Sequence, residues 1–192
     1  MIMNQGGVGN CWIISAISAV AEVPGRITNL MLNDDLNEAG VYGVNMYSLG
    51  VPTTVYVDDY LPVAEDWYSG ESKPLYAGLG KDNSIWGAIV EKAFAKKYGN
   101  YQHTEGGWMA TGVANLNGSP FRTHMNKDYS EDDLWAILET HDLAVDVMTA
   151  GTENGPDTPA GLASGHAYTV IGVATLDDGA RLIKCRNPWG SE

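Results

Sequence analysis

Four side chains spread along the 192 residues are of types that together can cut an acyl bond: Gln5, Cys11, His166 and Asn187. Cys11 follows the glycine-rich stretch NQGGVGN, and behind it WIISAISAV repeats apolar residues at helical spacing. That pattern puts the thiol in the first turn of a helix. Free N–H groups there carry partial positive charge and stabilise a thiolate. Glycines at 6, 7 and 9 let the backbone approach whatever the sulfur attacks. Taken alone, Cys11 reads equally well as a small buried hydrophobe, the commonest state of a free cysteine.

A nucleophilic thiol needs a base that takes its proton and returns it to the departing amine, and histidine suits this near neutral pH. His103, His124 and His141 sit in a loop, a polar turn and a helix end, and read as surface residues. His166 instead opens an apolar strand straight after Ser164–Gly165, at the end of a 16-residue loop, 150–165. A strand mouth beneath such a loop faces a cleft, and the loop is a candidate gate over it. Asn187 ends the strand LIKCRN, which a DDG turn returns beside the His166 strand, so it can accept the second imidazole N–H and fix the tautomer. Trp189, after Pro188, is expected to shield that pair from water; by itself NPWG also reads as a strand-ending turn with Trp189 filling the core. An attacked carbonyl develops negative charge on oxygen. The N–H of Cys11 and the side-chain amide of Gln5 are the expected donors to it, although a loop glutamine can also be satisfied locally. The order Gln, Cys, His, Asn is more specific than any one of them.

The surrounding pattern supplies elements to hold these groups. Residues 41–50 and 53–63 read as strands joined by a turn at Gly50–Pro52. Residues 83–101 read as an amphipathic helix with a stripe of Trp86, Ile89, Val90, Ala93, Phe94 and Lys97, stopped by Gly99. A composition shift at 115–121 marks a lobe boundary. Ser130 and Asp133 form a capping box ahead of Leu134, Ile137 and Leu138. The remainder reads as strands at LAVDVMT, HAYTVIGVATL and ARLIKCRN. The expectation is an α+β chain: a helical N-terminal lobe, 1–115, bearing the cysteine, and an antiparallel β lobe, 116–192, bearing His166 and Asn187.

Composition narrows the partners. Eleven basic against 24 acidic residues give a net charge of −13, which lacks the basic footprint of a nucleic-acid or anionic-membrane binder. No apolar run approaches the roughly 20 residues of a membrane span. No basic-then-apolar leader opens the chain, and two cysteines are too few for a disulfide scaffold, so an intracellular, cytoplasmic setting is expected. A single Cys11–Cys185 bridge stays compatible with the count. Cys185, two residues before Asn187, points to the same strand face and either borders the cleft or, the favoured reading, is buried. The acidic pairs Asp34–Asp35 and Asp58–Asp59 read as solvated surface, and no metal ligand is assigned. Nothing in the sequence sets the oligomeric state.

These stretches resemble one known family. QGGVGNCWIISAISAV is similar to the cysteine box of the calpain proteases, SIWGAIVEKAFAKKYGNY to their tryptophan-led helix, and VYVDDYLPV to the segment between. GHAYTVIGV resembles their histidine box and LIKCRNPWG their asparagine box. The resemblance covers nearly the whole chain and implies a papain-like, two-lobed thiol endopeptidase acting on protein or peptide substrates. By position it assigns Cys11 as nucleophile, His166 as base and acid, Asn187 as orienter, Gln5 as oxyanion donor and Trp189 as shield. It also implies calcium as an activator that draws the lobes together. Family cores begin before Gln5 and continue past NPWGSE, so both ends of the core, with much of its calcium-binding part, are expected to lie outside this sequence. Two rival readings share these residues: an inert protease-like module that binds protein partners, and an acyl transferase to amines. The latter usually orients its histidine with aspartate, so Asn187 favours hydrolysis.

Overall fold

The computed structural model describes residues 3–33, 35–65, 68, 70–158 and 161–190. Helix α1 (Cys11–Ala21) begins at the thiol, as its periodicity predicts. It is more deeply placed than one apolar stripe would require: residues 12–20 are all buried. The reason is that α1 is packed from several sides. It lies against a three-stranded sheet and against two further helices, α2 (Trp86–Tyr98) and α3 (Met109–Asn117). A helix apolar around its circumference is the form such a position selects.

The hairpin β1 (Val41–Ser48) and β2 (Val51–Asp58) turns at Leu49–Gly50, with φ of 50° and 81°. The expected turn at Gly50–Pro52 is therefore displaced: Pro52 lies inside β2 opposite Tyr47. Two consecutive positive φ values give the tight turn that matches strand twist. A short antiparallel pair, β3 (Val63–Glu65) and β4 (Ser72–Pro74), follows.

Helix α2 buries Ile89, Val90, Ala93 and Phe94 of the expected stripe, and Gly99 closes it at φ 106°. Lys97 does not join the core; its ammonium reaches the Tyr47 carbonyl and Ser48 Oγ. Lys92 and Lys96 likewise donate to the Tyr60 and Tyr56 carbonyls, so one face of α2 grips the β1–β2 hairpin. Lys92 also pairs with Asp58 at 2.6 Å, and that hydrogen bond holds the Asp58 carboxyl below its ordinary value. Of the two acidic pairs, Asp34 lies outside the described residues.

Helix α3 is an addition to the sequence reading, and it spans the place where the lobe boundary is drawn. The expected capping box is present at α4 (Glu131–Leu143), where Ser130 Oγ accepts from Asp133 N at 3.1 Å. The strand expected at LAVDVMT starts later than predicted: α4 runs to Leu143, and β5 is Met148–Gly151. Strands β5, β6 (Ala167–Thr175) and β7 (Arg181–Arg186) form one antiparallel sheet in that order. The chain is thus a mixed α+β fold. No helix among the described residues is long and apolar enough to cross a membrane.

Candidate active site

Cys11 and His166 line one continuous cleft of about 2390 Å³, together with Gly107, Trp108, Met109 and Thr152. Cys11 is half-buried at the start of α1, and His166 is buried immediately before β6. Each is held by its neighbours in sequence. Trp12 donates Nε1 to the Thr104 carbonyl at 2.8 Å and meets Phe94 and Tyr98 edge-on. Gly107 passes over that indole so closely that a Cβ there would lie 2.4 Å from it. Thr169 on β6 donates Oγ1 to the Ser15 carbonyl at 2.8 Å, a buried bond that fixes α1 against the strand carrying His166.

Strand register brings the second half of the site together. Thr169 pairs with Arg186 and Val170 with Cys185; a bulge between Val170 and Gly172 shifts the pairing by one residue beyond that point. Continued past the strand ends, this register sets His166 opposite Trp189. Their ring centroids are 4.3 Å apart with a 35° tilt. Asn187 Oδ1 lies 3.0 Å from His166 Nε2 and accepts from Trp189 N at the same distance. The second contact decides the first. A backbone N–H can only donate, so the amide atom facing it is the oxygen, and His166 Nε2 must carry the hydrogen. Nδ1 is left as the lone-pair nitrogen, able to accept a thiol proton. Trp189 packs against one side of the imidazole while 49% of its own surface stays in solvent.

The segment before Cys11 docks against the same turn. Gln5 N donates to the Pro188 carbonyl at 2.7 Å, and Gln5 Nε2 to the Val8 carbonyl at 2.7 Å. The local satisfaction foreseen for a loop glutamine therefore uses one amide hydrogen and leaves one. Gly190, at φ 71°, lies so near Asn4 that a Cβ would sit 1.7 Å from its Oδ1. Only glycine fits where the two ends of the site meet.

The loop between β5 and His166 is tightly bonded along its described part. Thr152 Oγ1 donates to the Ala163 carbonyl at 2.7 Å and accepts from His166 N at 3.0 Å. Gly165 N donates to the Glu153 carbonyl at 2.9 Å, and Ala163 N to Tyr168 Oη at 2.9 Å. The remaining histidines each engage a partner five residues away: Tyr98 for His103, Tyr129 for His124 and Asp146 for His141. Both cysteines are free. Cys185 is exposed, against the expected burial, because β7 is an edge strand with no further strand over it among the described residues. Neighbouring atoms still desolvate its sulfur enough to push the thiol up.

Sequence reasoning missed one polar residue beneath the site. Glu91 of α2 is 1% exposed and accepts from Asn10 Nδ2 at 2.7 Å and Ala77 N at 2.8 Å. The only sequence signal was a carboxylate inside an apolar stripe. Among the described residues no group of three or more His, Cys, Asp or Glu side chains is placed to hold a metal ion, so no residue is assigned to calcium.

A sequence family described as calpain family cysteine protease matches residues 1–192. The calpain-type cysteine protease DEK1 of Arabidopsis thaliana is 32% identical over 98% of this chain, which spans 9% of that protein. Calpain-14 of Homo sapiens is 30% identical over 97% of the chain, 27% of its own length. Calpain-A of Drosophila melanogaster is 28% identical over 99% of the chain, 24% of its own length. The chain therefore spans between 9% and 34% of the length of such relatives.

Proposed function

Because this chain belongs to the calpain family of cysteine proteases, we propose that it carries the catalytic part of a cysteine-type endopeptidase with a Cys11–His166–Asn187 triad. The observation that carries this reading is the doubly bonded Asn187 Oδ1, which fixes the His166 tautomer at the cleft that Cys11 also lines. In this reading His166 Nδ1 takes the Cys11 proton. The sulfur bonds the scissile carbonyl carbon, and the charge on oxygen is met by the Cys11 N–H and the free Gln5 amide hydrogen. His166 returns the proton to the amine as the C–N bond breaks. Water then adds to the acyl carbon, the S–C bond breaks, and Cys11 regains its hydrogen. Trp189 keeps bulk water off one side of the imidazole.

The papain-like division into a helical lobe, 1–115, and a β lobe, 116–192, belongs to the same proposal, as do protein or peptide substrates and a cytoplasmic setting. Calcium enters as an activator only. Turnover equal in calcium and in chelator removes it from the reading. The central test is hydrolysis of a quenched peptide: Cys11→Ala and Cys11→Ser abolish it while the melting temperature stays near the parent's. Undiminished turnover in either variant rejects the proposal. The inert-module alternative gains if a thiol-directed peptide electrophile labels Cys11 no faster than Cys185.

A further inference from the structure

Asparagine at a helix N-cap ordinarily turns its side-chain oxygen onto the N–H of the second or third helical residue. Asn10, the N-cap of α1, makes no such bond. Its Nδ2 is drawn 2.7 Å from Glu91 Oε1, and its Oδ1, the atom that would cap, is buried without a partner. Both residues are fully enclosed, Asn10 at 0% and Glu91 at 1% exposure. Burying a carboxylate beside Ile89, Val90 and Phe94 is costly, and an apolar side chain there would pack without that cost. The second carboxylate oxygen accepts from Ala77 N. The segment holding Ala77 in turn bonds the loop that precedes Cys11: Gly7 N donates to the Leu75 carbonyl at 2.8 Å and Gly78 N to the Asn4 carbonyl at 2.9 Å. One carboxylate therefore grips the residue next to the nucleophile and the bend after β4 that bonds the Gln5 segment.

Resting on the hydrolase reading above, the geometry points to Glu91 as a positioning residue that holds the Asn10 amide back, keeping the first turn of α1 open to the oxygen of an attacked carbonyl. Released, the Asn10 oxygen would swing over the helix start. With Ile13 N already donating to the Asn10 carbonyl, it would take the Trp12 N–H and set its negative dipole beside the Cys11 N–H, where the oxyanion forms. Glu91 touches neither substrate nor sulfur; it acts through Asn10.

The test compares two chemistries of the same thiol. Peptide hydrolysis needs the oxyanion donors, whereas alkylation of Cys11 by iodoacetamide displaces iodide and builds no oxyanion. In Glu91→Met, kcat per titrated thiol falls at least tenfold, while KM and the plateau alkylation rate, read at a pH high enough to ionise the thiol fully, stay within about twofold of the parent. Adding Asn10→Ala, which deletes the amide that needs holding, restores most of kcat. Glu91→Gln accepts from Ala77 N and reaches Asn10 through a flipped amide, so its kcat stays within about threefold. A merely structural role would lower stability and the titratable fraction but leave kcat per titrated thiol unchanged, which overturns the inference. Failure of Asn10→Ala to restore turnover overturns it too. If Glu91→Met does not fold, Asn10→Ala alone decides: kcat within about threefold of the parent supports the inference, and a larger loss refutes it. A parent that neither hydrolyses peptide nor alkylates preferentially at Cys11 removes the hydrolase reading, and this inference with it.

Discussion

Replacing Asn187 by alanine is the sharpest perturbation of the proposed mechanism, because a single atom, Oδ1, accepts from both His166 Nε2 and Trp189 N. Its loss removes two neutral hydrogen bonds, each contributing about 0.5–1.5 kcal/mol net. Water reaches the vacated place from the open side of Trp189, whose surface is 49% exposed, so neither donor is left in a dry pocket. The imidazole is then free to exchange tautomers and to turn about its bond to the chain. Transmitted to the transition state, that is about 1–3 kcal/mol, or roughly 5- to 150-fold in kcat/KM. The assay is hydrolysis of a quenched peptide, normalised to thiol titrated with a peptide electrophile, across pH. Asn187→Asp separates orientation from mere occupancy. It keeps the acceptor and adds a charge that favours imidazolium, so the alkaline limb of kcat/KM moves to higher pH while orientation is retained. Parental kcat/KM in Asn187→Ala refutes the reasoning, and an unmoved alkaline limb in Asn187→Asp refutes the electrostatic half of it.

Burial raises the Glu91 carboxyl above its ordinary value of 4.5, opposed in part by the bonds from Asn10 and Ala77. The folded state thus holds this proton longer than the unfolded chain. The associated stability is complete below the unfolded value and is lost as pH rises through the folded one. Urea midpoints should therefore show the parent losing stability relative to Glu91→Gln as pH rises above about 4.5, and parallel curves would contradict this. The same carboxylate, after desolvation, helps push Tyr101 up, so that tyrosine should stay unionised at pH values where the exposed ones titrate in an ultraviolet difference spectrum. Gly190→Ala, at φ 71° and aimed into Asn4, should cost more than about 1 kcal/mol and lower turnover by shifting the Gln5 segment; a melting temperature and kcat equal to the parent's would argue against that contact. Ser130→Ala, at the cap of α4, should cost about 1 kcal/mol in a urea titration and leave kcat/KM unchanged, which separates stability from chemistry.

Local periodicity and local chemistry are what the sequence by itself determined. The apolar spacing after Cys11 placed the thiol at a helix start, the Ser130–Asp133 pair placed a cap, and the DDG turn between two apolar runs implied the β6–β7 hairpin. Each is decided within about a dozen residues, where side-chain period and turn chemistry leave a direct mark. Helix α3 left a weaker mark, since nine residues with Gly112 inside and glycines on both sides offer too few apolar repeats. Tertiary structure decided the rest. That residues 12–20 of α1 are buried on every side depends on two helices and a sheet arriving from elsewhere in the chain. The bulge near Gly172 sets whether His166 meets Trp189, and no pattern in either strand encodes that one-residue shift. The diversion of Asn10 by Glu91, 81 residues away, was equally invisible, because a buried polar pair is specified by packing that closes around it and not by spacing along the chain.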